Sequence, residues 1–573
     1  MGRVYHVQRA RTEVVYEEVI GPGQVVQQLH ALDRAVEEAE QELNLIRERL
    51  ESELPSQVVL LEAHLMILRD PMFVGETKRM VEEEQVTAAW AAVSVVKGIA
   101  AKFEQLEDPY LRSRVEDLEG VAERVVRHLS GQPGSRVETL DRRAILVAHH
   151  LSPADTTQLD VKRVMGFVTE MGGRTSHTAI VAQALELPAV VGLERACDRI
   201  PSGSLIILDG TNGEVIVDPD EETLIAYEDL RYRFAVFSAQ MRSQAQEPAL
   251  TRDGRPLIIK ANIEQPGEVD SALSQGADGI GLFRTEFIYL SQPDLPDEET
   301  LFSAYRRVVE KMAGRPVTIR TLDLGGDKFA HQFDLVPEMN PAMGLRAVRL
   351  CLRRPDIFKA QLRAILRASA LGSVGIMFPM ISGVQECQAC LEILDQCKAE
   401  LTREGFEFDP AIKVGCMIEV PSAVFVADLL ASLVDFFSVG TNDLIQYGLA
   451  IDRVNEYVAH MYRPFHPAVL RMIGLSLEAG RTAGIPVAMC GEMAAEPWSV
   501  PLLIGLGLKE VSVNPQAVPR VKHVTRRADY SQCLELAEEV MSFTTEVEVS
   551  EFMRRELNRI MPETFGPDGL MLY

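Results

Sequence analysis

The chain has 573 residues, of which 47% are hydrophobic, and its 84 acidic residues against 58 basic ones give a formal net charge of −26. That charge repels phosphates and argues against a nucleic-acid binder, although it suits a basic protein partner. The N-terminal MGRVYHVQRA has no apolar h-region, so no secretory signal is expected. No stretch of about 20 uncharged apolar residues is available to span a membrane.

Length alone suggests about four domains. The eight cysteines are scattered through a large chain, which reads as reduced and cytoplasmic. Cys387-x-x-Cys390 has the spacing of half a zinc site. It lies inside the helical pattern VQECQACLEILDQC with no second pair at finger spacing, so small apolar thiols on a helix are expected there.

In chain order, residues 1–20 begin with a short strand. From Gln24, Leu29, Leu32, Val36, Ala39, Leu43, Ile46 and Leu50 step by alternating threes and fours, a coiled-coil-like seam that ends before Pro55. A second helix over QVVLLEAHLMILRD stops at Pro71, a third is expected over 78–106, and a fourth over 110–130 after Asp108-Pro109. These helices make a four-helix bundle, 21–139, inserted after the first strand. It reads either as a scaffold or as a docking surface for another protein.

Residues 140–219 carry short apolar runs, AILVAHHL, VMGFVTE, AVVG, LIILDG and EVIVD, with hairpin-type turns at Asp209-Gly210 and Asn212-Gly213. With the first strand they form a small α/β domain. Residues 220–252 are a connector, helical at first, and SQAQEPALTRDGRP reads as a linker. Over 253–573, apolar runs recur at 257–262, 279–283, 317–321, 374–378, 414–418, 436–440, 486–490 and 510–514, separated by helical patterns. Eight strands alternating with helices predict a (β/α)8 barrel. The fold class is therefore α/β.

A barrel puts its chemistry at the C-terminal ends of its strands. Arg284 and Arg320 end the second and third runs, Pro379-Met380 follows the fourth, and Glu419 ends the fifth. Asn442 and Asp443 follow the sixth, Cys490 ends the seventh and Asn514 the eighth. Taken singly, each charged group could be a rim salt bridge. As a set, Glu419 and Asp443 could hold one hard divalent cation such as Mg²⁺. Arg284 and Arg320, with Arg346 and Arg453, offer bidentate donors for phosphate and carboxylate. Cys490 could be a structural thiol or an acid–base group.

In GGRTSHTAIVAQALELPAVVG, Thr175 or Ser176 is a plausible N-cap, which puts His177 at the positive end of a helix. That place suits a phosphate carried on the ring, although for a bare G-G-x-x-S-H a satisfied surface or capping histidine is the commoner outcome.

The same stretch resembles the phosphohistidine signature of the phosphoenolpyruvate-utilising enzymes. DFFSVGTNDLIQYGLAIDR resembles their second signature, and RTLDLGGDK, GLFRTEF, IEVPSA and AMCGE follow the family pattern in order. The resemblance covers essentially the whole chain. Fewer than 150 residues precede the histidine domain and no Gly-rich P-loop is visible, so the ATP-dependent dikinase and synthase branches are not expected. The protein-phosphotransferase branch is. It implies a swivelling phosphohistidine domain over 1–20 and 140–219, a bundle that docks the phosphocarrier protein HPr, and a homodimer through the barrel.

It also implies roles for single residues. His177 would take phosphate from phosphoenolpyruvate and pass it to a histidine of HPr, with Thr156 orienting the ring. Glu419 and Asp443 would bind Mg²⁺. Arg284, Arg320, Arg453 and Asn442 would clamp the substrate, with Arg346 a further candidate, and Cys490 would protonate the enolate to pyruvate. VSVNPQAVPRVK departs from the serine-rich form of the sugar-system enzymes. No extra N-terminal sensory domain of the nitrogen-regulatory kind is seen, and the sugar system is the expected pathway. A synthase-like enzyme without a protein carrier, or a phosphoenolpyruvate sensor without turnover, are the competing readings.

Overall fold

The computed structural model describes residues 1–7, 19–53, 58–104, 109–130, 143–149, 151, 163–172, 179, 182, 187–290, 294–325, 338, 340–453, 455 and 458–566. It divides into two compact units, Met1–Asp229 and Leu230–Tyr573.

The first unit holds a six-stranded sheet of order β4-β3-β2-β1-β5-β6, where β1 is Gly2–His6, β2 Ala144–Ala148, β3 Val164–Thr169, β4 Ala189–Val190, β5 Leu205–Asp209 and β6 Glu214–Val217. Its first four strands are parallel. Leu146 and Phe167 face one core and Ile145, Val147 and Val168 another. Burial on both faces is why AILVA reads as an unbroken apolar run rather than an alternating one. The expected hairpin is present: β5 and β6 pair antiparallel, and Asp209 Oδ1 accepts from Thr211 N and Asn212 N in the turn.

The bundle is built from α1 (Pro22–Glu53), α2 (Val58–Arg69), α3 (Glu76–Glu84), α4 (Ala88–Glu104) and α5 (Pro109–Leu129). Leu32, Ala39 and Leu43 of the expected seam are buried, as is Ala35; the side chains of Ile46 and Leu50 lie outside the described residues. Asp70 caps the tight turn that starts at Pro71, accepting from Met72 N at 2.8 Å, in keeping with proline's fit to a first helical position.

The third expected helix, 78–106, is not continuous. Glu82, Glu83 and Glu84 end α3, where negative charge opposes the helix dipole. Gln85 then turns left-handed at φ 51°. The gain is tertiary: Val86 is buried, bridges to Val19, and Gln85 O accepts from Ile20 N.

Helix α6 (Glu221–Ser243) leads to the second unit. There β7 (Ile258–Ile263), β8 (Ile280–Phe283), β9 (Val317–Arg320), β10 (Val374–Phe378), β11 (Lys413–Ile418), β12 (Phe436–Val439), β13 (Val487–Met489) and β14 (Glu510–Val513) close into a parallel eight-stranded barrel. All eight expected runs are strands. Cys387 and Cys390 are buried on the helix Val384–Glu404, where burial pushes both thiols up. Residues 243–256, expected as a linker, are packed onto the barrel instead. Lys522 Nζ, itself buried, donates to the carbonyls of Ala245 at 2.8 Å and Glu247 at 3.1 Å, and Ala245 and Ala249 are buried.

Candidate active site

The strand ends bring most of the expected side chains to one mouth of the barrel. Arg284 follows β8, and its amide donates to Ile263 O at the end of β7. Its Nη1 donates to Glu264 Oε1 at 2.8 Å. Arg320, the last residue of β9, is buried between two carboxylates: Nη2 lies 2.9 Å from Glu286 Oε1 and Nη1 2.9 Å from Asp323 Oδ2. Asp323 holds a second arginine with its other oxygen, at 2.8 Å from Arg346 Nη2, and Arg346 also lies 3.7 Å from Asp443 Oδ2.

Burial works to raise the Asp323 carboxyl, but Arg320 and Arg346 outweigh it and hold it below the usual range. Burial would likewise lower Arg320 and Arg346; the surrounding carboxylates win and hold both guanidiniums above theirs.

Glu419 follows β11 and is 2% exposed. Burial, then the like charges of Asp323 and Asp443, push its carboxyl up to about 8. It accepts from Met380 N at 2.6 Å, and Met380 takes up a left-handed φ of 56°. One oxygen from each of Asp323, Glu419 and Asp443 lies within 4.8 Å of the others. A buried cluster of hard oxygen donors, with one carboxyl raised by its like-charged neighbours, fits a divalent cation. Both Asp323 oxygens are engaged by arginines, which leaves Glu419 and Asp443 as the more available donors.

Cys490 follows β13 and is buried, its Sγ 3.8 Å from Val439 O. Burial pushes the thiol up, against a hydrogen bond to Ser438 and the charges of Arg320 and Arg284. Asn442 sits further out. Its amide donates to Glu492 Oε1 at 3.1 Å and its carbonyl accepts from Glu492 N at 2.9 Å, while Arg453 Nη1 lies 3.8 Å from Glu492 Oε1. Asn514 is a turn cap, accepting from Ala517 N at 2.8 Å.

His177 and Thr156 lie outside the described residues. Glu264, Glu286 and Asp323 escaped the sequence reading. Glu286 and Asp323 stand within the quoted stretches GLFRTEF and RTLDLGGDK, so the signal was their spacing from Arg284 and Arg320.

A barrel whose mouth gathers arginines, a carboxylate cluster and a buried thiol is found here together with a separate six-stranded α/β sheet, and comparison with known proteins gives the same grouping. Models of the phosphoenolpyruvate-utilising enzymes match three parts: the N-terminal domain over 1–114, the mobile domain over 140–213 and the PEP-binding domain over 238–530. The chain is 42% identical over 524 residues to the phosphoenolpyruvate-protein phosphotransferase of Priestia megaterium, covering 91% of each. It is 41% identical over 525 residues to that of Geobacillus stearothermophilus, again covering 91% of each. A solution structure of Enzyme I (nEIt) aligns with 41% of this chain and 94% of its own at 33% identity and a TM-score of 0.35. The chain belongs to the phosphoenolpyruvate-utilising enzyme family. Within it, it stands with the phosphoenolpyruvate-protein phosphotransferases, the enzyme I type of the phosphotransferase system.

Proposed function

We propose that this chain takes the phosphoryl group of phosphoenolpyruvate onto His177 and passes it to a histidine of HPr, releasing pyruvate, as the cytoplasmic first step of the sugar phosphotransferase system. The observation that carries the reading is the meeting of Arg320, Glu419, Asp443 and Cys490 at one barrel mouth. Arg284, Arg320 and Arg346 each keep a buried Nε with no hydrogen-bond partner among the described residues, which supports an anionic ligand there.

Glu419 and Asp443 would hold Mg²⁺, which when bound supplies charge neutralisation beside the phosphate and carboxylate oxygens. Arg284 and Arg320, with Arg346, bind the anionic substrate; Asn442 and Arg453 close over its outer end. The P–O bond to the enol oxygen breaks as a His177 ring nitrogen bonds to phosphorus, with Thr156 orienting that ring. The enolate carbon takes the Cys490 proton and leaves as pyruvate, and the thiolate is reprotonated from water. The P–N bond then breaks as the HPr histidine attacks.

The bundle is the docking unit for HPr. Met66 on α2 and Met72 in the turn before α3 are 71% and 56% exposed, adaptable apolar side chains on the surface of an acidic bundle. The barrel forms a homodimer. Phe425, Leu429 and Leu475 are 74%, 53% and 49% exposed on helices Pro421–Phe425, Ala427–Leu430 and Pro467–Ala483, which pack together, and large clustered apolar side chains seek cover.

The test is incubation of the full chain with labelled phosphoenolpyruvate, Mg²⁺ and HPr. Acid-labile label should reach this protein and then HPr, and His177→Ala should abolish both. Label that stays on the enzyme with a single turnover of pyruvate favours the sensor reading, and pyruvate formation with no transfer to HPr favours a small-molecule enzyme.

A further inference from the structure

The arginines at the barrel mouth are not held alike. Arg320 and Arg346 are fixed by Glu286 and Asp323, whose side chains are 15% and 5% exposed. Those carboxylates are part of the floor and have little freedom to leave. Arg284 is paired to Glu264 at 2.8 Å, and there the side chains are 36% and 57% exposed. Glu264 stands one residue beyond β7 and Arg284 one beyond β8, so adjacent strand ends supply both. Glu268 adds a second acidic group: its Oε2 accepts from Glu264 N at 3.2 Å, and its charge also faces Arg284.

A solvent-exposed ion pair contributes only about 0–1 kcal/mol. A multiply charged anion that also meets Arg320 and a cation can therefore take Arg284 from Glu264 at small cost. A singly charged product that has lost its phosphate competes far less well. Resting on the reading that this mouth binds phosphoenolpyruvate, we infer that Glu264 is a displaceable internal counter-ion of Arg284. It competes with the substrate's anionic end and so raises KM and favours ligands of high negative charge.

The alternative is that Glu264 merely holds Arg284 in its binding pose, and the two predict opposite signs. The experiment compares wild type, Glu264→Gln and Glu264→Asp as full chains with Mg²⁺ and HPr, measuring KM for phosphoenolpyruvate and competitive inhibition by inorganic phosphate. Counter-ion competition gives a KM lower by about two- to fivefold in Glu264→Gln, the fold-change equivalent to such a pair. Phosphate inhibition tightens in parallel, and Glu264→Asp stays near wild type because the charge is kept. A KM that is unchanged or higher in Glu264→Gln overturns the inference, and so does a fall of equal size in Glu264→Asp. Unaltered thermal unfolding, expected for so exposed a side chain, separates these effects from misfolding. Failure of the underlying reading is seen earlier and separately, as a wild-type protein that takes no label from phosphoenolpyruvate.

Discussion

A thiol is a weak acid in water, and burial makes Cys490 weaker still. For the enolate proton donor proposed above this would be no handicap: such a group must be protonated when the enolate forms, and burial favours the protonated thiol. The adjoining backbone is equally constrained. A Cβ on Gly491 would stand 1.7 Å from Thr441 Oγ1, so the turn that delivers Cys490 can pass the β12 end only as glycine. Cys490→Ala should therefore slow pyruvate formation by about 100-fold or more, the usual worth of a positioned general acid. Transfer from phosphorylated HPr back to His177 should continue, because that exchange needs no carbon acid. Parallel assays of pyruvate release and back-transfer check the split; normal pyruvate release would remove Cys490 from the proton step.

At the same scale, the arginines were legible because a cation at a strand end is conspicuous. The carboxylates Glu286 and Asp323 were not, since an acid near an arginine looks the same in sequence whether it is buried scaffold or surface partner. Only the fold makes Asp323 a bridge between Arg320 and Arg346.

Among the elements, legibility followed burial. Parallel strands covered on both faces read as near-continuous apolar runs, and for that reason every barrel strand could be read from its run. The break between α3 and α4 could not, because Val86 leaves the helix to meet Val19, far away in sequence. The glutamate run before it was the one local sign.

The bundle's ion network was equally hidden. Glu42 on α1 accepts from Arg127 Nη2 on α5 at 2.8 Å and also pairs with Arg124, which is 8% exposed, and with His128. Burial would raise the Glu42 carboxyl; Arg124 and then Arg127 outweigh it and hold it below its ordinary 4.5. A carboxyl lowered by folding contributes stability above its unfolded value, and that contribution is lost as pH falls through the lowered one. Glu42→Gln removes the carboxylate that pairs with buried Arg124 and with Arg127, so at pH 7 the bundle should lose about 2–3 kcal/mol, somewhat less than for a fully buried pair. The deficit should be constant above about pH 4.5 and shrink as acid protonates the wild-type carboxyl. Trp90 lies in α4 and Trp498 in the second unit, so urea unfolding by fluorescence in a Trp498→Phe background isolates the bundle. A deficit that grows on acidification would contradict this account.

For the whole molecule, the division into two units, each with its own buried clusters, has a thermodynamic consequence. A ligand stabilises only the cooperative unit that binds it, by about 2.7 kcal/mol at a hundredfold excess over Kd. Mg²⁺ with oxalate, a small dianion suited to the carboxylate and arginine cluster, should raise one of two calorimetric transitions by roughly 3–6 °C. It should leave the other in place. If the barrel also pairs with a second copy through Phe425, Leu429 and Leu475, the ligand-sensitive transition should rise with protein concentration, because association stabilises by mass action. Phe425→Glu should remove that concentration dependence while keeping the ligand shift, since Phe425 is 74% exposed and takes no part in the site. Scanning calorimetry at two protein concentrations, with and without Mg²⁺ and oxalate, reads all of these at once. A single transition that shifts as a whole would mean that the two units fold as one, and a ligand shift in the transition sensitive to Glu42→Gln would put the anion site in the wrong unit.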